Sequence, residues 1–288
     1  MGTSRWSSNT YATYASSVAH TSRDVLFSSR NIDDRFNPKK ITLRESRDSE
    51  ANPESIPIIV GFDVTGSMGI IPEYIVKNSL GTLFDKLGDS SLKDPHIMFT
   101  AIGDVVCDTA PLQVTQFEAD NVITEQLTSL WIESGGGGND FESYDLPWAF
   151  ALNKVESDAW VKREKKGYII TIGDEQFPKK GDYSMISSDL SNETPDSILK
   201  SVQEKYNVFH IIIKEGRYCL STDRYNRVVG SWRERLGKRA IVLNDYTKLS
   251  ELIVSTILLD QGEDVESVLR NYSKDTQSVL KEAFLAED

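Results

Sequence analysis

Ile58-Ile59-Val60-Gly61-Phe62-Asp63-Val64-Thr65-Gly66-Ser67-Met68-Gly69 is the stretch on which the fold of this chain turns. The run from Ile58 to Phe62 predicts a buried strand, and the acid, hydroxyls and glycines behind it predict a turn at its carboxyl end. Over residues 70–87, Ile71, Tyr74, Ile75, Leu83, Phe84 and Leu87 fall roughly on one face, which predicts a helix. Asp63, Thr65 and Ser67 alternate in the turn between them. Hydroxyls, carboxylates and water are the ligands Mg²⁺ prefers, so these oxygens suit one small hard cation. The same residue types also cap helices, and the motif alone leaves both roles open.

Working outward, the alternation continues. Strands are predicted over 96–102, 112–117, 167–172, 207–213 and 240–243, and helices over 120–130, 142–155, 195–206 and 247–259. Strands alternating with helices of this length imply an α/β protein with a mainly parallel sheet covered on both faces. Such sheets bind ligands at the carboxyl ends of their strands. The α/β domain is expected over 56–260. Residues 1–55 form a polar N-terminal extension rich in Ser, Thr, Asn, Arg and Asp, and residues 261–288 a C-terminal helix, with Val265, Leu269, Tyr272, Val279, Leu280 and Phe284 at helical spacing. In the extension, Val25-Leu26-Phe27 and Phe36 are apolar anchors. They predict a strap from about residue 25 onward and a mobile segment over 1–20.

The 288 residues carry 32 Lys plus Arg against 44 Asp plus Glu, a net charge of −12. Polyanion affinity comes from concentrated Lys and Arg, so this balance excludes a general nucleic-acid binder. Cys107 and Cys219 are the only cysteines, which excludes a disulfide scaffold and a thiolate metal cluster and fits a reducing compartment. With no apolar segment near residue 5 and apolar runs too short to span a bilayer, the expectation is a cytoplasmic protein without a membrane partner.

Two further motifs converge on the first. Gly135-Gly136-Gly137-Gly138-Asn139-Asp140 precedes Glu142-Ser143, and the strand 167–172 ends in Gly173-Asp174-Glu175. In a parallel sheet all three meet at one rim. Each alone reads as a turn or cap; together they read as a metal site.

On these residues the chain resembles the von Willebrand factor type A (vWA) family, over about residues 56–259. Asp63, Thr65 and Ser67 match that family's Asp-x-Ser/Thr-x-Ser element, and Asp174 matches the acid at the end of its fourth strand. The loop Thr of the family has no counterpart after the glycines; Asp140 stands in for it, with Asn139 as the alternative. The resemblance implies a Rossmann-like, doubly wound fold and a metal-ion-dependent adhesion site (MIDAS). It implies Mg²⁺ as cofactor, with Mn²⁺ or Ca²⁺ as alternatives, held by Asp63, Thr65, Ser67, Asp140 and Asp174. An open coordination position would accept an acidic residue of a protein partner in a larger intracellular assembly, without catalysis. Asp104, Glu142, Ser143 and Glu175 are candidate rim or partner contacts, and Tyr144 joins Glu142 as a candidate determinant of partner selectivity.

Other chemistries find less support. Thr65 stands where a Gly-x-Ser-x-Gly elbow needs glycine, and only His20, His96 and His210 are available as bases. The glycine run lacks the Lys-Ser/Thr of a P-loop. The enzymatic alternative is a Mg²⁺-dependent phosphoester hydrolase using Asp63, Asp104, Asp174 and Glu175, although Thr65 and Ser67 offer hydroxyls where such sites hold carboxylates. The basic runs 162–166 and 233–239 read as solvated helix ends, with docking of an acidic partner as the alternative.

Overall fold

The structure, a computed structural model, describes residues 4–66, 68, 70–92, 94–133 and 141–285. Its strands are β1 (Arg44–Ser46), β2 (Ile56–Asp63), β3 (Pro95–Ile102), β4 (Leu112–Val114), β5 (Val155–Ser157), β6 (Gly167–Gly173), β7 (Tyr206–Ile213) and β8 (Ala240–Leu243). Six of them form one sheet in the order β4-β3-β2-β6-β7-β8, while β1 and β5 make a separate two-stranded ladder. Every pairing in the large sheet is parallel except β3 with β4.

Central position explains the apolar run that opened the reading: all of β2 is buried. Ile58, Val60 and Phe62 pack with Leu83, Phe84 and Leu252, whereas Ile59 packs with Trp148, Ile198 and Trp232. Helices Leu80–Gly88 and Leu249–Asp260 thus cover one face, and Leu146–Lys154, Pro195–Val202 and Thr222–Leu236 the other. This mainly parallel, helix-flanked sheet is compatible with the Rossmann-like expectation. After β2 the chain moves outward to β3 and β4; after β6, on the other side of β2, it moves outward to β7 and β8. The connections leaving β2 and β6 therefore diverge, and their carboxyl ends are where open α/β sheets bind ligands.

Several expectations need correction. The predicted helix 70–87 is interrupted by a π-helical turn, Ile75–Ser79. The C-terminal helix is two helices, Val265–Leu269 and Lys274–Leu285, because the Ser273 hydroxyl accepts the Thr276 amide at 3.2 Å and restarts the chain. Thr222–Leu236 is a full helix that the pattern did not signal; only Val228, Trp232 and Leu236 along it are buried.

The extension departs most. Residues from Ser4 onward are not a loose arm: Ser8–Val18 is a helix, Trp6 stacks on Phe84 with ring centroids 4.3 Å apart, and the buried Tyr11 hydroxyl donates to the Val76 carbonyl at 3.0 Å. Leu26, Phe27 and Phe36 are buried as anchors, each contributing roughly 1.5–3 kcal/mol. Val25 is 67% exposed and anchors nothing. Lys162 and Arg163 do form the end of a helix, Asp158–Arg163, with Lys162 exposed, and they also pair with acids: Lys162 with Asp48 of the extension and Asp158, Arg163 with Asp48. No helix among the described residues is long and apolar enough to cross a membrane.

Candidate metal centre

Asp63, the last residue of β2, is 0% exposed. Its Oδ1 accepts the Thr65 amide at 2.7 Å and the Thr65 hydroxyl at 2.6 Å, the local turn an Asp favours two residues before its partner. The hydroxyl proton of Thr65 is thereby committed to Asp63, and the oxygen keeps lone pairs for a Lewis acid. Ser67, Asn139 and Asp140 lie outside the described residues.

Asp174 follows β6 and is 2% exposed. Its Oδ2 accepts the backbone amide of Tyr218 at 2.9 Å, and its carbonyl accepts the Cys219 thiol at 3.2 Å. Two glycines make this approach possible. A Cβ at Gly216 would lie 2.3 Å from Asp174 Oδ2, and one at Gly173 would lie 1.9 Å from the Tyr144 hydroxyl.

Tyr144, expected at the partner-facing surface, is instead fully buried. Its hydroxyl donates to Asp63 Oδ2 at 3.1 Å and accepts the Glu175 amide at 3.4 Å, bridging the ends of β2 and β6. Burial, followed by the charge of Asp63, holds its pKa well above the usual tyrosine value, so it remains a donor. The ring sits edge-on to His210 (4.9 Å) and Trp232 (5.6 Å), which stack on each other at 3.5 Å. Trp232 Nε1 in turn donates to the Glu175 carbonyl at 2.9 Å. An aromatic block thus fixes the acids from beneath.

The segment 141–144 ties the third motif to the same rim. Phe141 forms a parallel bridge with Gln176. The Ser143 amide donates to the Gly103 carbonyl, and its hydroxyl accepts the Val105 amide, both at 3.1 Å. Ser143 is therefore a brace between loops. Asp104 is also buried and shapes its own loop: Oδ1 accepts the Val106 amide at 3.0 Å, and its amide donates to Asp108 Oδ2 at 2.7 Å. Glu142 is 3% exposed, and its Oε2 has no hydrogen-bond partner among the described residues.

Acid acts on acid at this rim. Burial and then Asp174 push the Asp63 pKa up to about 7; burial and then Asp63, Glu175, Asp108 and Asp104 push Glu142 up to about 11. Among the described residues, no Lys or Arg forms an ion pair with Asp63 or Glu142. No three His, Cys, Asp or Glu side chains among those residues converge closely enough to hold a metal by themselves. Among the described residues, a cation here would need the hydroxyl oxygens as well.

No family model matches the sequence, and no curated protein does. Among solved structures, the chain is similar to proximal thread matrix protein 1 from the mussel byssus: TM-score 0.45, 13% identity, covering 71% of this chain and 47% of that one. It is also similar to the pilus adhesin SpaC from Lactobacillus rhamnosus GG in its open conformation: TM-score 0.45, 10% identity, covering 75% of this chain and 31% of that one. The chain spans less than half the length of either structure. Similarity at this level identifies neither a family nor a ligand.

Proposed function

We propose that the chain is a doubly wound vWA-like module that holds Mg²⁺ in a MIDAS-type site and uses it to grip a carboxylate of a protein partner, without catalysis. The observation that carries this reading is the burial, at the switch point of the sheet, of Asp63 and Asp174 beside a Thr65 hydroxyl whose proton Asp63 already takes. The donor set fits a hard divalent cation: hydroxyl and carboxylate oxygens, with a buried Asp63 that no Lys or Arg pairs with among the described residues. When bound, Mg²⁺ supplies an incompletely filled coordination shell that attracts an anionic oxygen, even from an acidic host.

The chain's own residues do the positioning. Asp63 orients Thr65, Tyr144 holds Asp63, and the Tyr218 amide holds Asp174. Ser67 and Asp140 complete the ligand set in this reading. The two cysteines, Cys107 exposed and Cys219 buried, are unbridged, which supports a place in a reducing, intracellular assembly.

Isothermal titration with Mg²⁺ and Mn²⁺ tests the site: wild type binds and Asp63→Ala does not, whereas equal binding removes it. Pull-down in Mg²⁺ against chelator, followed by mass spectrometry, identifies the partner. A divalent-dependent phosphatase or nuclease activity that Asp174→Ala abolishes would establish the hydrolase instead.

A further inference from the structure

We propose that Glu142 is itself a ligand of the cation at this rim, adding a carboxylate oxygen to the hydroxyls of the β2 turn. The inference rests on the metal reading above but concerns a residue that reading did not need.

Three observations carry it. Glu142 is almost entirely removed from solvent, yet Oε2 meets no donor and no acceptor among the described residues. A neutral structural carboxyl would place its proton on an acceptor, and an ionised one would sit against a base or several amides; Glu142 Oε2 does neither. The charged groups that act on it most strongly are Asp63, Glu175, Asp108 and Asp104, all acidic. Its backbone, finally, is held in place. Phe141 is bridged to Gln176, Ser143 is bonded to Gly103 and Val105, and the Tyr144 amide donates to the Glu142 carbonyl at 3.0 Å. A clamped, buried acid aimed among acids is strongly unfavourable in the metal-free chain, and a divalent cation resolves it.

The chemistry follows from charge. Asp63 and Asp174 are engaged by Thr65, Tyr144 and the Tyr218 amide, whereas Glu142 keeps an oxygen with which to bond the metal directly, alongside Asp140 of the glycine loop in this reading. A carboxylate in the shell lowers the charge left for an incoming partner oxygen, so Glu142 tightens the metal and weakens the partner's grip on it.

The test uses the full chain and Mn²⁺ or Mg²⁺ alone, comparing wild type with Glu142→Gln, Glu142→Asp and Asp63→Ala. Calorimetry and Mn²⁺ electron paramagnetic resonance give affinity; thermal melting in chelator gives the metal-free stability. Glu142→Gln is expected to weaken Mn²⁺ binding by about tenfold or more while raising the melting temperature in chelator, and Glu142→Asp to lie between. A Glu142→Gln protein that binds as tightly as wild type, while Asp63→Ala does not bind, overturns the Glu142 assignment and leaves the site standing. Equal binding by wild type and Asp63→Ala, or none by wild type, overturns both. A Glu142→Gln protein that melts lower in chelator shows a structural acid and also overturns the assignment.

Discussion

Two clusters of acids sit in this molecule, and they are built in opposite ways. Beside the β1–β5 ladder, every acid has a base. Arg47 binds Glu45 at 2.7 Å and Asp158 at 3.0 Å and also reaches Glu156; Lys162 binds Asp158 at 2.7 Å; Arg163 binds Asp48 at 2.7 Å. Burial alone would raise the pKa of Asp48, but Arg163, Ser55 and Lys162 outweigh it and hold it well below the usual carboxylate range. At the carboxyl ends of β2 and β6 the acids Asp63 and Glu142 have no such base among the described residues, and their pKa values are pushed up. A chain that surrounds one set of acids with Arg and Lys has the means to do so at the other. The difference teaches that the ladder's charges complete a joint within the chain, whereas the rim's charges are complete only with a cation from outside.

Removing acids from the two clusters should therefore have opposite signatures. The largest effect belongs to the metal: at a hundredfold excess over its dissociation constant, Mg²⁺ should stabilise wild type by about 2.7 kcal/mol and Asp63→Ala by nothing, as read by melting with and without chelator. Next comes Asp158→Ala, which strands Arg47 and Lys162 and removes the acceptor of the Asp48 amide. It should cost about 2 kcal/mol in chemical denaturation, with Mg²⁺ affinity unchanged. A loss of metal binding in Asp158→Ala would merge the two clusters into one system.

The smallest effect is in pH. His96, buried against Ser46 of β1, has its pKa lowered by burial to about 4. The unfolded chain, with histidine near 6.5, binds more protons than the folded one between those values, so stability falls as pH drops from about 6.5 to 4. Below that window the loss of Asp48 continues the decline, because a depressed carboxylate stabilises only while ionised. His96→Gln should flatten the upper part of the curve and leave the lower part. An unchanged curve between pH 6.5 and 4 would remove His96 as the sensor on the ladder side.

Much of the sheet was legible because buried parallel strands are apolar throughout. Residues 240–243 and 167–172 could be read from Ile, Val and Tyr content alone, as could the strand carrying Asp63. The ladder was not legible: three-residue strands of Arg-Glu-Ser and Val-Glu-Ser have no pattern to detect, and their pairing is set by ion pairs far apart in sequence. Helix Thr222–Leu236 was invisible because three buried residues in a mostly polar segment give a weak stripe. At the site, Asp63 and Asp174 were readable from their places after strands. Tyr144 was readable only as a neighbour, since its work depends on contacts with Asp63, His210 and Trp232 that no local spacing encodes. The Tyr218 amide could not be found at all, because a backbone donor leaves no mark on residue type.

The most direct test of the contrast is anomalous diffraction from crystals grown with Mn²⁺. A cation completing the rim gives a peak at bonding distance, about 2.1–2.2 Å, from Thr65 Oγ1 and the Glu142 carboxylate, and none beside Asp48 and Asp158. An empty rim at saturating Mn²⁺, or a peak only at the β1–β5 ladder, would contradict the claim that the unpaired acids are waiting for a metal.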